Sequence, residues 1–112
     1  MRVQIREIKH YLSQDGRDIF MEWLMGLSID MRSRILIRIE RVALGNFGDH
    51  SSVGENVWEL RFHFGSGYRI YYVHEGTKIV LLLAGGDKST QRKDIQKAKE
   101  LWKEYGGRKN EI

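Results

Sequence analysis

The sequence contains no cysteine. Disulfide frameworks and thiolate chemistry are therefore excluded. Proline is absent too, which by itself excludes little. No apolar run reaches the roughly 18 residues that a membrane-spanning helix needs. The opening MRVQIREIKHYL lacks the apolar core of a signal peptide, so a cytoplasmic chain without membrane association is expected. Repeats, low-complexity segments and linkers are lacking as well. At 112 residues and 41% apolar, the chain suits one domain over residues 1–112, built around one core. What the chain has in excess is positive charge, net +4 with a pI near 9.5. That balance favours an anionic partner and fits nucleic acid, although many small domains are mildly basic.

The stretch from Val57 to Gln91 carries most of the pattern. Three apolar runs, Val57–Phe64, Tyr68–His74 and Lys78–Ala84, are rich in the β-branched and aromatic residues that suit a pleated surface. Gly65-Ser66-Gly67 and Glu75-Gly76 separate them as hairpin turns, which predicts an antiparallel meander. Side chains alternate across a strand. Trp58, Leu60, Phe62 and Phe64 therefore face the core, while Glu59, Arg61 and His63 form a polar row. In the second strand Arg69 shares a face with Tyr71 and Val73, opposite Tyr68, Ile70 and Tyr72. The third strand is apolar on both faces, as a doubly covered strand is. It leads into Gly85-Gly86-Asp87-Lys88, expected to be a flexible loop that ends in a cation.

Before the meander, Val3, Ile5 and Ile8 suggest an opening strand, and Gln14-Asp15-Gly16-Arg17 a turn. Asp18 can cap a helix carrying Phe20, Trp23, Leu24 and Leu27 on one side. A second helix is expected from Asp30 to Leu44, with Met31, Ile35, Ile39 and Val42 inward and Gly45 ending it. The two helices form a hairpin. Residues 45–56 read as a polar, glycine-rich loop. After Lys88, Ser89 or Thr90 can cap a last helix with Ile95, Ala98, Trp102 and Tyr105 inward. Gly106-Gly107 is expected to stop that helix and leave a frayed tail over 106–112. The predicted class is α+β, in the order β-α-α-β-β-β-α.

Arg69 and Lys88 are the sharpest candidates for chemistry. A phosphodiester transition state gathers negative charge on its non-bridging oxygens, and a planar guanidinium can offset it with paired donors. Two surface cations in ordinary salt bridges would leave the same sequence pattern. Arg61 and His63 can extend the cluster, and His63 can serve as acid or base near neutral pH. Glu59 can pair with Arg61 or act as a base. The four histidines, His10, His50, His63 and His74, have no metal-ligand spacing, and neither a metal nor a cofactor is expected. Arg34, Arg38 and Arg41 form a stripe on the second helix that could track a nucleic-acid backbone or be a solvated face. With Arg32 and Arg92 they complete the candidate RNA- and ribosome-binding set. Trp23, Trp58 and Trp102 fall on predicted core faces.

Several segments together resemble a known family. They are Trp58-Glu59-Leu60-Arg61, Gly67-Tyr68-Arg69-Ile70-Tyr71-Tyr72, Leu82-Leu83-Ala84-Gly85-Gly86-Asp87-Lys88, and Asp94-Ile95 with Ala98. The chain is similar to the RelE/ParE superfamily of type II toxins, in its HigB-like, phage Gp49-like addiction-module-killer branch. Tyr11-Leu12, Asp15-Gly16, Trp23-Leu24 and Gly45-Asn46-Phe47-Gly48-Asp49 match that branch too. The resemblance implies a helical hairpin packed on a curved antiparallel sheet. It implies a ribosome-dependent endoribonuclease, an mRNA interferase in which a ribose 2′-OH attacks the adjacent phosphate without a metal. It implies a HigA-like helix-turn-helix antitoxin as partner, beside the ribosome and mRNA. By the same resemblance Arg69 contacts the scissile phosphate, Lys88 is the basic residue after the loop glycine, and Arg61 is the strand arginine. The C-terminal Tyr or His that several relatives use as acid or base is not matched, since Asp94 stands in that region. Two rivals have other chemistry: a ParE-like DNA gyrase poison, and a silent domain that only binds its antitoxin.

Overall fold

The computed structural model describes residues 5–110, with side chains to position 106. Its order is β1 (Glu7–His10), α1 (Ile19–Met25), α2 (Ile29–Ala43), β2 (His50–Gly54), β3 (Val57–Arg61), β4 (Arg69–Glu75), β5 (Ile79–Gly86), a 3-10 turn (Lys88–Thr90) and α3 (Gln91–Asn110). The strands form one sheet in the order β1-β5-β4-β3-β2. β2 to β5 run antiparallel, but β1 lies parallel to β5, so the sheet is mixed and not the antiparallel one expected. Val3 lies outside the described residues. Ile5 precedes β1 and is exposed.

Both parities of β4 and β5 are apolar, so both faces of the sheet need a cover. Phe20 and Leu24 of α1 and Ile35, Ile39 and Val42 of α2 pack on Leu60, Ile70, Tyr72, Val80 and Leu82. On the opposite face Ala98 and Leu101 of α3 pack on Val57, Tyr71, Val73, Leu81 and Leu83. Each large side chain fully withdrawn from water contributes roughly 1.5–3 kcal/mol, enough for either layer to hold its helices. Among the described residues no helix is long and apolar enough to cross a membrane.

The helix ends follow local chemistry. The Asp18 carboxylate accepts from the Met21 amide at 3.0 Å and caps α1. Gly45, at φ +94°, sits just past α2. Its amide reaches the Val42 carbonyl, and the Asn46 amide reaches that of Arg41, both at 2.9 Å, so two orphan carbonyls are satisfied. The last helix begins differently from expectation. Asp87 caps the 3-10 turn, with Thr90 answering in a capping box, and α3 continues from it directly. α3 then runs through Gly106 and Gly107 to Asn110, so two glycines do not stop it.

Three further expectations are corrected. Residues 45–56 are not all loop, because they hold β2, an edge strand paired with β3. Its hairpin turn uses Glu55 at φ +54° and Asn56 at φ +68°, two left-handed positions without glycine. The first meander strand ends at Arg61, not Phe64, and the chain from 62 to 68 forms the turn. Gly85 and Gly86 are the end of β5, not a flexible loop. A Cβ on Gly85 would stand 2.1 Å from a Trp23 ring carbon, and one on Gly86 would stand 1.8 Å from an Asp94 carboxylate oxygen. The glycine pair therefore lets α1 and α3 close on opposite faces of one strand.

Candidate active site

Register brings the site together. Arg61 and Arg69 are direct cross-strand partners on β3 and β4, and Glu59 faces Tyr71 one pleat along. All four point to the α3 side. The face is not open, as expected for Arg69, because the start of α3 covers it: the Arg69 side chain is only 12% exposed.

Two guanidiniums side by side repel each other. Glu59 lies between them and is 1% exposed. Its Oε1 accepts from Arg61 Nε at 2.9 Å and stands 3.8 Å from Arg69 Nε. Its Oε2 accepts from Gln91 Nε2 at 2.8 Å. A buried carboxylate is tolerable only with such partners. Arg69 itself is held loosely. Its Nη1 donates to the Gly67 carbonyl at 3.3 Å, and its buried Nε has no hydrogen-bond partner.

Gly67 brings Lys88 to the same place. It adopts φ +75°, and a Cβ there would lie 3.3 Å from the Lys88 Cβ and 4.0 Å from Arg69 Nη1. The Lys88 amide donates to the Ser66 carbonyl at 3.4 Å, and the Ser66 hydroxyl donates to Asp87 at 3.2 Å. The exposed Lys88 ammonium has no acidic partner among the described residues. Donors from Ser89, Ser66 and Thr90 hold the Asp87 carboxyl below its usual range, so it remains an anionic cap.

His63 joins through a residue that the sequence pattern does not reveal. Asp49, in the stretch before β2, accepts from His63 Nε2 at 2.7 Å and lies 3.8 Å from Arg61 Nη1. The bond to His63, and then the Arg61 charge, hold the Asp49 carboxyl below its usual range. His63 is 76% exposed. Ser51 of β2 accepts from Arg61 Nη2 at 2.5 Å. One connected network therefore runs His63–Asp49–Arg61–Glu59, with Arg69 and Gln91 beside Glu59 and the Lys88 side chain against Gly67 next to Arg69. The five residues proposed for chemistry, Arg69, Lys88, Arg61, His63 and Glu59, all lie in or against it. Asp49, Ser51, Gly67 and Gln91 are additions of the structure. Gly67 and Asp49 stand in segments that carry the family resemblance, but without an assigned role, and nothing local marked Ser51 or Gln91.

Tyr71 lies beside Glu59 on the same face. Burial first, and then the Glu59 charge, push its hydroxyl well above the usual range, so it stays protonated. Burial also raises Asp94, whose carboxylate accepts from the Thr90 hydroxyl close above Gly86.

The arginines of α2 separate into different roles. Arg38 is not part of a solvated stripe. It donates to the backbone carbonyls of Arg61, Phe47 and Asp49 and stacks on Phe62 at 4.6 Å. Arg34 pairs with Asp30 at 3.5 Å, Arg41 is exposed, and Arg32 donates to the Met25 sulfur. Arg32 lines an apolar groove of about 420 Å³ between α1 and α2, where Met25, Ile29 and Leu36 are exposed. Arg92 is exposed on α3, in a groove of about 360 Å³ with Gln91 and Lys99.

Residues 22–103, which include the whole site, match the family described as Phage derived protein Gp49-like (DUF891). A protein of Haemophilus influenzae, described only as uncharacterized, is 47% identical over 88 residues, which cover 78% of this chain and 89% of that protein. The chain therefore belongs to the phage-derived Gp49-like family.

Proposed function

We propose that the chain is the toxin of a type II toxin–antitoxin module, with a RelE-like fold, and that it cleaves mRNA on the ribosome. Membership of the Gp49-like family, which is associated with such modules, supports the toxin reading. The observation that carries the chemistry is the cation cluster: Arg69, loosely held with no hydrogen bond at Nε, beside Arg61 and the Lys88 side chain.

A phosphodiester set against these groups would meet paired guanidinium donors and an ammonium. The 2′-OH of the preceding ribose attacks the phosphorus, and its proton passes to a base. The 5′-oxygen leaves and takes up a proton, which yields a 2′,3′-cyclic phosphate and a 5′-OH end. The need for a 2′-OH restricts the substrate to RNA. His63 fits the base role better than Glu59. It is exposed, and Asp49 would stabilise the imidazolium once the proton arrives. Glu59 is buried with both oxygens engaged, so it cannot reach a ribose.

The proposed partner is a helix-turn-helix antitoxin. An acidic or amphipathic segment of it would cover the cationic cluster or the exposed apolar groove of the helical hairpin. Expression without the partner, followed by growth measurement and primer extension on mRNA, tests the reading. Growth arrest with discrete cuts is expected. Stabilised double-strand breaks in plasmid incubated with gyrase would favour a gyrase poison instead, and normal growth would favour a silent domain.

A further inference from the structure

We propose that Gln91 is a positioning residue for the phosphate-binding cations, acting through Glu59. The inference rests on the reading of this cluster as a phosphate site. Glu59 has two oxygens and four candidate donors: Gln91, the two arginine Nε groups and the buried Tyr71 hydroxyl beside it. Gln91 takes Oε2 at 2.8 Å, which leaves Oε1 for the two arginine Nε groups at 2.9 and 3.8 Å. Under this division Arg69 is attracted to the carboxylate but not hydrogen-bonded to it. Its Nε is buried, but its Nη groups stay available to a ligand, and Nη1 rests only on the Gly67 carbonyl at 3.3 Å.

Removal of the amide would leave Oε2 buried and unsatisfied, an expensive condition for a carboxylate. The Tyr71 hydroxyl can offer one neutral hydrogen bond, but Arg69 is the remaining charged donor that is not yet hydrogen-bonded to Glu59, and so the stronger remedy. A carboxylate turned toward its guanidinium gains a paired, charge-assisted contact. The arginine would then leave Gly67 and spend its donors on Glu59. Gln91 thus keeps Arg69 from collapsing onto its own counterion.

The placement of Gln91 links this device to the docking of α3. Gln91 is the first residue of that helix, directly after the turn that carries Lys88. The Asp87 capping box fixes the turn, and Ser66 is bound to it from the β3–β4 connection. One short backbone segment therefore sets both the start of the Lys88 side chain beside Gly67 and the Gln91 amide on Glu59. Two of the cations gain their working positions only when α3 seats on the sheet.

The test compares wild type with Gln91→Ala and Gln91→Glu. Arginine Nε–Hε resonances of Arg61 and Arg69 are followed by NMR, inorganic phosphate is titrated, and thermal stability is measured. In Gln91→Ala, a shift of both resonances and a loss of phosphate affinity of about tenfold are expected, with the fold retained. Gln91→Glu sets two carboxylates in contact, which disfavours ionisation of both. Its phosphate affinity should fall at neutral pH and recover on acidification, a dependence that a purely structural lesion would not show. On the ribosome, Gln91→Ala should lower kcat by about tenfold to a hundredfold with KM little changed, the scale of misplaced reacting groups. Unchanged resonances and phosphate affinity in a folded Gln91→Ala protein would overturn the proposal, as would a wild type that binds no phosphate. A wild type that binds phosphate but neither arrests growth nor cuts mRNA would overturn the ribonuclease reading alone. The resonances and the titration would still decide the role of Gln91.

Discussion

The chain has two groups of arginines, one on helix α2 and one on strands β3 and β4, and they are used in opposite ways. On α2 the central member, Arg38, spends its donors on three backbone carbonyls and its flat face on Phe62. It ties the helix to the chain before β2 and to the end of β3. On the strands the Arg69 side chain is also largely enclosed, yet its Nε has no hydrogen bond and its counterion stands off at 3.8 Å. A guanidinium whose donors satisfy backbone carbonyls is a structural group. One that is enclosed, charged and short of hydrogen bonds is, in the proposed reading, the group that meets an anion. The number of arginines in a stripe says nothing of this difference; only their partners do.

The comparison breaks first at Arg69. Arg69→Ala should lower mRNA cleavage by about a hundredfold or more, the scale of losing one preorganised donor. It should leave the fold nearly intact, because no apolar core area is lost. Arg69→Lys should restore little, since a point charge cannot reproduce the fork. Growth on expression without the antitoxin, with primer extension, reads both. A folded Arg69→Ala protein that cuts at the wild-type rate would place the site elsewhere.

Arg38→Ala should show the reverse. Loss of charge-assisted bonds to half-buried carbonyls should cost roughly 2–3 kcal/mol of stability. Urea denaturation would measure it. The chemistry of whatever protein remains folded should be intact at low temperature. If the lesion instead falls on activity in a fully stable protein, the division between the two groups fails.

Arg41 sharpens the contrast within α2, since it is exposed and outside the Arg38 network. Arg41→Ala should leave stability unchanged and reduce the salt dependence of ribosome binding by about one unit of slope, as for one lost phosphate contact. Binding to the ribosome that does not respond to KCl would remove α2 from the interface altogether.

The smallest effect belongs to Asp94, beside the strand group, where burial outweighs the nearby Lys93 charge. Burial raises its carboxyl above the unfolded value of 3.8. The ionised form is thus the costly one in the fold, and this contribution to stability is present below pH 3.8 and lost as pH rises through the raised value. Asp94→Asn should therefore raise the melting temperature slightly at pH 7 and have no stabilising effect near pH 3. A clear loss of stability at pH 7 would mean that the Thr90 contact outweighs the burial.

Much of this was legible in the residues. Alternation placed Arg69 with Tyr71 and opposite Ile70 and Tyr72, because a pleat leaves no other choice. Helical spacing picked out Ile35, Ile39 and Val42, and the carboxylate of Asp18 marked the start of α1. The resemblance to a toxin family singled out Arg69, Lys88 and Arg61; strand register sets Arg61 beside Arg69, and the close approach of Gly67 brings the Lys88 side chain to them.

The tertiary structure decided the rest, for reasons that no local pattern contains. β2 was hidden because its hairpin turn places Glu and Asn at positive φ, where glycine is the usual sign. Gly85-Gly86 looked flexible, but the bulk of Trp23 and Asp94 on opposite faces is what requires two missing side chains. Glu59 looked like a solvent-facing acid in a polar row until α3 closed over it. The roles of Asp49 and Gln91 depend on residues 14 and 32 positions away, His63 and Glu59 respectively. The sequence by itself determined which side chains share a face, since that depends only on the repeat of the backbone. Which of those faces is buried, and which cation keeps its donors free, was decided by the packing of distant elements against one another.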